Sequence, residues 1–342
     1  MGRAPTGRPT SFDIAYLAGV SQPTVSRALR GDSAVSAATR AKIEKIAADL
    51  NYTVDKNASS LRSQRSNTVA LLFFEDPTPD NSNINPFFLS MLGSITRACA
   101  DRGLDLLISF QRMEDDWHVR YQDSHRADGL ILLGYGDYTV YEARLRQLGA
   151  QGTHFVRWGS VGGDAIGSTI GSDNRGAGRM AGEHLDALDH NRVAFIGQAD
   201  SHYPEFLDRF AGLSETPGIT TEGLQVDALT SETDGYVAVQ ALLARGARFD
   251  AVFAGSDLIA IGVLRALAEA GKSVPEDVAV IGFDDIPAAS HTSPPLTTLM
   301  QDISGAGALL VDALLGQIEG KAGGGRTLPA RLIERGSTRA CR

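Results

Sequence analysis

The chain has 342 residues, 43% of them hydrophobic and 21% charged, and a formal net charge of -9. That balance suits two or three water-soluble folded units, and no apolar run approaches the roughly 20 residues a membrane-spanning helix requires. The opening stretch MGRAPTGRPTSFDIAYLAG has basic residues with no apolar run behind them, so no secretory signal is expected; Cys99 and Cys341 are expected to be free thiols in a reducing cytoplasm.

The charge is divided unevenly. Residues 1–66 hold ten Lys and Arg against five Asp and Glu, a balance of +5, so the remainder carries -14. A basic head on an acidic body directs any polyanion to the head.

In chain order, Ser11 is expected to cap a helix running to about Ala18, with Phe12, Ala15 and Leu17 at its apolar positions. Gly19 breaks it at a tight turn. Ser21 starts a second helix with Pro23 in its first turn, where the missing N–H costs nothing. Val25, Ala28 and Leu29 then point inward, leaving Gln22, Thr24, Ser26 and Arg27 outward. Ser36 caps a third helix, in which Ile43, Ile46, Ala47 and Leu50 repeat at helical spacing. An incidental polar face on a three-helix bundle is the plain alternative. Short hydrogen-bonding side chains plus an arginine on one helix face instead suit the floor of a DNA groove.

The stretch DIAYLAGVSQPTVSRALRGDSAVSAATRAKIEKIAADLNY, residues 13–52, resembles the lactose/galactose-repressor (LacI/GalR) family across the whole head. The resemblance implies that Gln22, Pro23, Ser26 and Arg27 form the base-reading face, and that Ser21, Thr24, Ser36 and Tyr52 hold phosphates. Arg30 would lie at the end of the reading helix. The following DKNASSLRSQRSN is too short and polar to hold a helix alone in water. The same resemblance makes it a hinge helix over roughly 56–62, with Leu61 wedged into the minor groove and Asn57 and Ala58 beside its wall.

From residue 68 the pattern changes. TVALLFF, LDLLISF, DGLILLG, THFVRWG, RVAFIGQ, DAVFAGSD and VAVIGFDD are short apolar runs separated by helical segments. Such alternation predicts parallel sheets covered on both faces, and the number of strands predicts two lobes. Ligands of such sheets bind beyond the strands' carboxyl ends, where Asp173, Asp200, Asp257 and Asp284 fall. NPFF, GSDNRGAG, DRFAGL, FAGSDLIAIG and VIGFDD…PPLTTLMQD extend the family resemblance through the body, implying a two-lobed fold like that of periplasmic binding proteins. The expected division is a DNA-binding head over 1–55, a hinge over 56–67 and an effector body over 68–342, with lobe crossings near 168, 298 and 326.

By that resemblance Phe87, Phe88 and Trp158 line the cleft, Arg209 reaches in from the second lobe, and Asp284 accepts from ligand hydroxyls or amines. Ser256, Asp257 and Gln301 are further candidates. A carboxylate and a guanidinium can each grip vicinal hydroxyls while a ring covers an apolar face, which suits a sugar. Core packing is the alternative for each aromatic, and capping of the next helix for Asp257. GAGRMAG, residues 176–182, only superficially resembles a dinucleotide loop and is assigned to helix packing. The histidines show no zinc spacing, no nucleophile motif or cofactor site is expected, and the tail holds no leucine heptad for a tetramerising coiled coil.

The expectation is therefore a homodimeric repressor of sugar-utilisation genes, binding a pseudo-palindromic operator under the control of a small effector. The family resemblance implies a dimer face that includes the helix from Asp257 to about Ala270. A purine or other metabolite acting as corepressor is one alternative. A cytoplasmic sugar-acting enzyme is another, and would need paired carboxylates such as Asp257 and Asp284.

Overall fold

A computed structural model describes residues 9–29, 31–52, 65–73, 84–111, 115–134, 136–162 and 166–338. Arg30, Asn57, Ala58, Leu61 and Cys341, with the expected hinge helix, lie outside the described residues. The chain divides into two compact units, residues 1–66 and 67–342.

The head is built from α1 (Ser11–Ala18), α2 (Gln22–Leu29) and α3 (Ala37–Asp49). Its core is small: Ile14, Val25 and Ile43 are fully enclosed, with Ala15, Ala18, Ala28, Val35 and Ala47 around them. Two expectations for α1 need correction. Thr10, not Ser11, is the cap; Thr10 and Asp13 form a reciprocal capping box. That start turns Ile14, Ala15 and Ala18 inward and leaves Phe12 71% and Leu17 53% exposed. Gly19 ends α1 in the left-handed region, at φ 68°. Ser36 caps α3 by accepting from the Thr39 N–H at 3.2 Å.

The body holds two six-stranded sheets. The first contains β1 (Thr68–Phe73), β2 (Asp105–Phe110), β3 (Gly129–Leu133), β4 (Phe155–Trp158), β5 (Ser168–Ser172) and β11 (Gly325–Leu328), ordered β11-β5-β4-β3-β1-β2 and parallel throughout. The second contains β6 (Val193–Ile196), β7 (Gln225–Val226), β8 (Ala251–Ala254), β9 (Ala279–Asp284), β10 (Thr297–Met300) and β12 (Arg331–Ile333), ordered β12-β10-β9-β8-β6-β7. Only the short edge strand β12 runs antiparallel in it. The chain therefore passes between sheets after Ser172, after Met300 and after Leu328.

The helices are α4 (Pro86–Asp101), α5 (Tyr138–Ala150), α6 (Asn174–Asp186), α7 (Pro204–Ser214), α8 (Glu232–Ala244), α9 (Asp257–Glu269) and α10 (Ile303–Ile318). β1, β3, β8 and β9 are buried along nearly their whole length, as strands covered on both faces must be. GAGRMAG lies in α6, where a Cβ on Gly178 would come 2.0 Å from the Arg209 carbonyl oxygen, so glycine there permits α6 and α7 to touch backbone to backbone. α9 is enclosed along most of its length and turns Arg265 and Glu269 outward, against Tyr236 of α8.

Candidate functional site

The head presents one polar helix face. α2 buries Val25 and Ala28, so helical spacing leaves Pro23 and Arg27 exposed and Gln22, Thr24 and Ser26 partly exposed. Gln22 Nε2 donates to Ser11 Oγ at 3.2 Å, joining the starts of α2 and α1. Ser21 and Thr24 share a hydroxyl–hydroxyl bond of 2.8 Å. Ser36 is exposed at the start of α3, and Tyr52 is half-buried against the head's core. Two cations are spent internally. Lys42 Nζ donates to the Ala18 carbonyl at 2.9 Å, and Arg40 donates to the carbonyls of Gly31 and Asp32. Arg27 is not among these internal pairs and stands outward on α2. Phe12 and Tyr16, 71% and 81% exposed on α1, extend the accessible surface beyond the residues expected from sequence.

In the body, polar side chains converge where the carboxyl ends of β8, β9 and β10 approach β5. Arg209 on α7 is only 1% exposed. Its Nε donates to Asn174 Oδ1 at 2.9 Å, its Nη1 donates to the Gly255 carbonyl, and its guanidinium carbon stands 3.5 Å from the centre of the Phe283 ring. Asp284 is 2% exposed and accepts from Gln301 Nε2 at 2.6 Å. Gln301 in turn accepts from the Ser172 hydroxyl, which links the two sheets. Burial pushes the Asp284 carboxyl up to about 7, against the opposing pull of Arg209's charge and the Gln301 bond. Its backbone is strained too: Asp284 and Asp285 have φ of 119° and 57°. A group poised near neutrality, held in a strained turn at a sheet's carboxyl end, is the body's strongest chemical feature.

The helix cap expected of Asp257 belongs to Ser256. Ser256 caps α9, accepting from the Ile259 N–H at 3.3 Å. Asp257 instead accepts from Thr298 Oγ1 at 2.6 Å and from the Ile286 N–H at 2.8 Å, pinning the chain just after the strained turn. Burial and the neighbouring Asp284 charge push its carboxyl well above the usual range. Gly282 makes this arrangement possible, since a Cβ there would sit 2.2 Å from Asp257 Oδ1.

On the first lobe, Asn85 caps α4 through the Phe87 N–H at 2.9 Å and so sets the Phe87–Phe88 pair. The Phe87 ring lies 6.1 Å from Trp158 and 5.1 Å from Phe88, all three within the lobe's core. Trp158 also borders a cavity of about 30 Å³ shared by both lobes, lined by Gly136, Tyr138, Tyr141, Arg157 and Glu205. Arg157 is buried there. Its Nη2 donates to the Ser160 carbonyl at 3.1 Å and its Nε has no hydrogen-bond partner. Desolvation lowers its pKa, partly offset by the charge of Glu205. Sequence reasoning missed Ser172, Asn174, Arg157 and Glu205; only Arg157, a charge inside the apolar run THFVRWG, carried a local signal.

Helix-turn-helix head and two-lobed body together define a class: a DNA-binding protein with a ligand-sensing module. The head, residues 12–55, matches the family model for bacterial regulatory proteins of the lacI family, and residues 183–338 match the periplasmic binding protein-like domain. The chain is 32% identical to the ribose operon repressor of Escherichia coli K12 over 90% of its length and 93% of that protein. It is likewise 32% identical to the HTH-type transcriptional regulator CelR of Thermobifida fusca, over 95% of each. Among solved structures, the CelR–cellobiose complex matches with 30% identity over 96% of this chain and all of that one, at a TM-score of 0.71. The lac repressor dimer bound to operator and the anti-inducer ONPF matches with 26% identity over 98% of this chain and all of that one, at a TM-score of 0.80.

The chain belongs to the LacI family of bacterial regulatory proteins and is a DNA-binding transcriptional regulator.

Proposed function

We propose that the chain is a homodimeric repressor of sugar-utilisation genes, acting in the cytoplasm on nucleoid DNA and binding a pseudo-palindromic operator. Gln22, Pro23, Ser26 and Arg27 read bases from the major groove, while Ser21, Thr24, Ser36 and Tyr52 hold phosphates. Arg30 is a further DNA contact, and Asn57, Ala58 and Leu61 act at the minor groove. One short helix touches too few bases for specificity, so two heads must act together. The dimer face includes α9.

The effector is a sugar held between the lobes by Arg209, Asp284 and Gln301, with Phe87, Phe88 and Trp158 walling the cleft and Ser256 and Asp257 supporting it. The observation carrying this is the buried Arg209–Asn174 and Asp284–Gln301–Ser172 network. These polar groups gather at the carboxyl ends of the strands of both sheets, where ligands of parallel sheets bind. The CelR structure supports the same choice, since that relative was solved with cellobiose. An enzymatic role is disfavoured because Asp257 spends both carboxylate oxygens on Thr298 and Ile286, and because the named relatives are regulators.

The test has two arms. Selection from a random duplex library should enrich a two-fold symmetric site. A thermal-shift screen over neutral mono- and disaccharides should find one that raises the melting temperature by mass action and alters affinity for that site. Failure to enrich any duplex refutes the DNA arm, and a melting temperature indifferent to every sugar refutes the effector arm.

A further inference from the structure

The three passages leave from β5, β10 and β11, strands at one side of each sheet; the first reaches β6, near the far side of the second sheet, only through α6. Those three strands form the hinge side of the cleft. A separate set of interlobe bonds lies further along each sheet, beyond the ends of β3, β4 and β6. Asp137 Oδ2 meets His202 Nδ1 at 2.8 Å, and the Thr139 hydroxyl lies 3.2 Å from the same nitrogen. The Tyr138 N–H donates to the His202 carbonyl at 2.8 Å. Beside them the Ser160 N–H donates to Glu205 Oε1, and the Ser160 hydroxyl donates to Asp208 Oδ2, both at 2.7 Å. Asp137, Tyr138, Thr139 and Ser160 belong to the first lobe; His202, Glu205 and Asp208 belong to the second.

We propose that these bonds are a strap that holds the body closed across the cleft beyond its hinge strands, and that protonation of His202 tightens it. Each bond is modest, because the side chains are partly exposed and screened. All must break together when the lobes part, which makes the strap a single latch. Asp137 is fixed independently, since its Oδ1 also caps α5 by accepting from the Thr139 N–H at 2.9 Å. The charges facing His202 are Asp137 from the opposite lobe and Asp200 from its own loop, the latter held by Gln198 and by the His202 N–H. The hydrogen bond to Asp137, then that carboxylate's charge, raises the His202 pKa above its ordinary value. The charged strap is therefore complete below the ordinary histidine value and is lost as pH rises through the elevated one. The strap rests on the effector reading only for its consequence, that ligand entry requires its release.

The test reads lobe separation without any ligand. In the full chain with Cys341→Ser, dyes at Val119→Cys and Leu188→Cys, both on exposed positions of opposite lobes, report the interlobe distance by single-molecule energy transfer. The wild-type background should show mainly the short distance at about pH 6, below the ordinary histidine value, and a growing long one by about pH 8.5. Ser160→Ala and His202→Gln should raise the open fraction at the lower pH roughly two- to fivefold, the scale of one exposed ion pair. His202→Gln should also flatten the pH response. Asp137→Asn, which keeps the helix cap, should behave like His202→Gln. Identical distances in all these proteins at both pH values overturn the strap. An unmoved distance beside a normal thermal response to a sugar condemns the strap alone. A moved distance with no sugar response upholds the strap and counts against the effector reading.

Discussion

The head and the body place the working groups proposed for them in opposite environments. The head keeps them on a surface: α2 turns Pro23 and Arg27 to water above a core of eight small or medium side chains. The body buries them: Arg209, Asp284 and Gln301 are enclosed at the lobe junction and hold one another in place. A phosphate backbone is a large external anion that an exposed cation can meet at little desolvation cost. A small neutral ligand must be stripped of water on all sides, so its site must be interior and every polar group in it must be paired. Stability and function are therefore nearly separable in the head and entangled in the body.

The comparison predicts how each part breaks. Arg209→Met should have the largest effect. It leaves Asn174 Oδ1 and the Gly255 carbonyl without their donor and removes the charge opposing Asp284, costing the body about 3–5 kcal/mol in denaturant unfolding. The head's DNA contacts should survive under conditions where the body remains folded. Ile43→Ala should cost about 2–5 kcal/mol. In so small a core that loss should abolish operator binding, while a sugar still shifts the body's melting temperature.

The third prediction concerns pH. Asp284 has a folded-state value near 7 against an ordinary 3.8, so the unfolded chain ionises first as pH rises. Its contribution to stability is greatest below about pH 4 and is lost between about pH 4 and 7, a change on the order of a few kcal/mol. Asp284→Asn should flatten that part of the body's stability profile and remove the effector response; an unchanged slope would mean the carboxyl is ionised in the native body.

On the head, Arg27→Ala should leave the melting temperature nearly unmoved and cost about 1–3 kcal/mol of discrimination between operator and mismatched duplex. Equal weakening on every duplex would assign Arg27 to phosphate. Thr10→Ala removes the capping box of α1 and should cost about 1 kcal/mol, visible as a small drop in the head's melting temperature at undiminished base specificity.

Legibility followed the same division. The helix-turn-helix was readable because its signals are local: Gly19 at φ 68°, Ser36 as a cap, and the Val25 and Ala28 spacing. Even there one residue of offset at the cap, Thr10 in place of Ser11, rotated α1 and sent Phe12 and Leu17 to the surface. In the body the apolar runs announced β1, β2, β3, β4, β6, β8 and β9. Arg209, Asp284 and Gln301 were nameable from family resemblance. That Ser256 rather than Asp257 caps α9 was not, because which oxygen reaches Ile286 or Thr298 depends on a turn nearly thirty residues away in sequence.

What the amino-acid order determines by itself is whatever short range decides: helix caps, glycine turns, apolar strand runs and the concentration of positive charge in the first 66 residues. Only the tertiary structure decided that Ser172 meets Gln301 across 129 positions, that Asp137 meets His202 across 65, and that Arg209 lies under Asn174. Those pairings depend on how two sheets come together, and the order of residues along one strand carries no information about which side chain of the other lobe will face it.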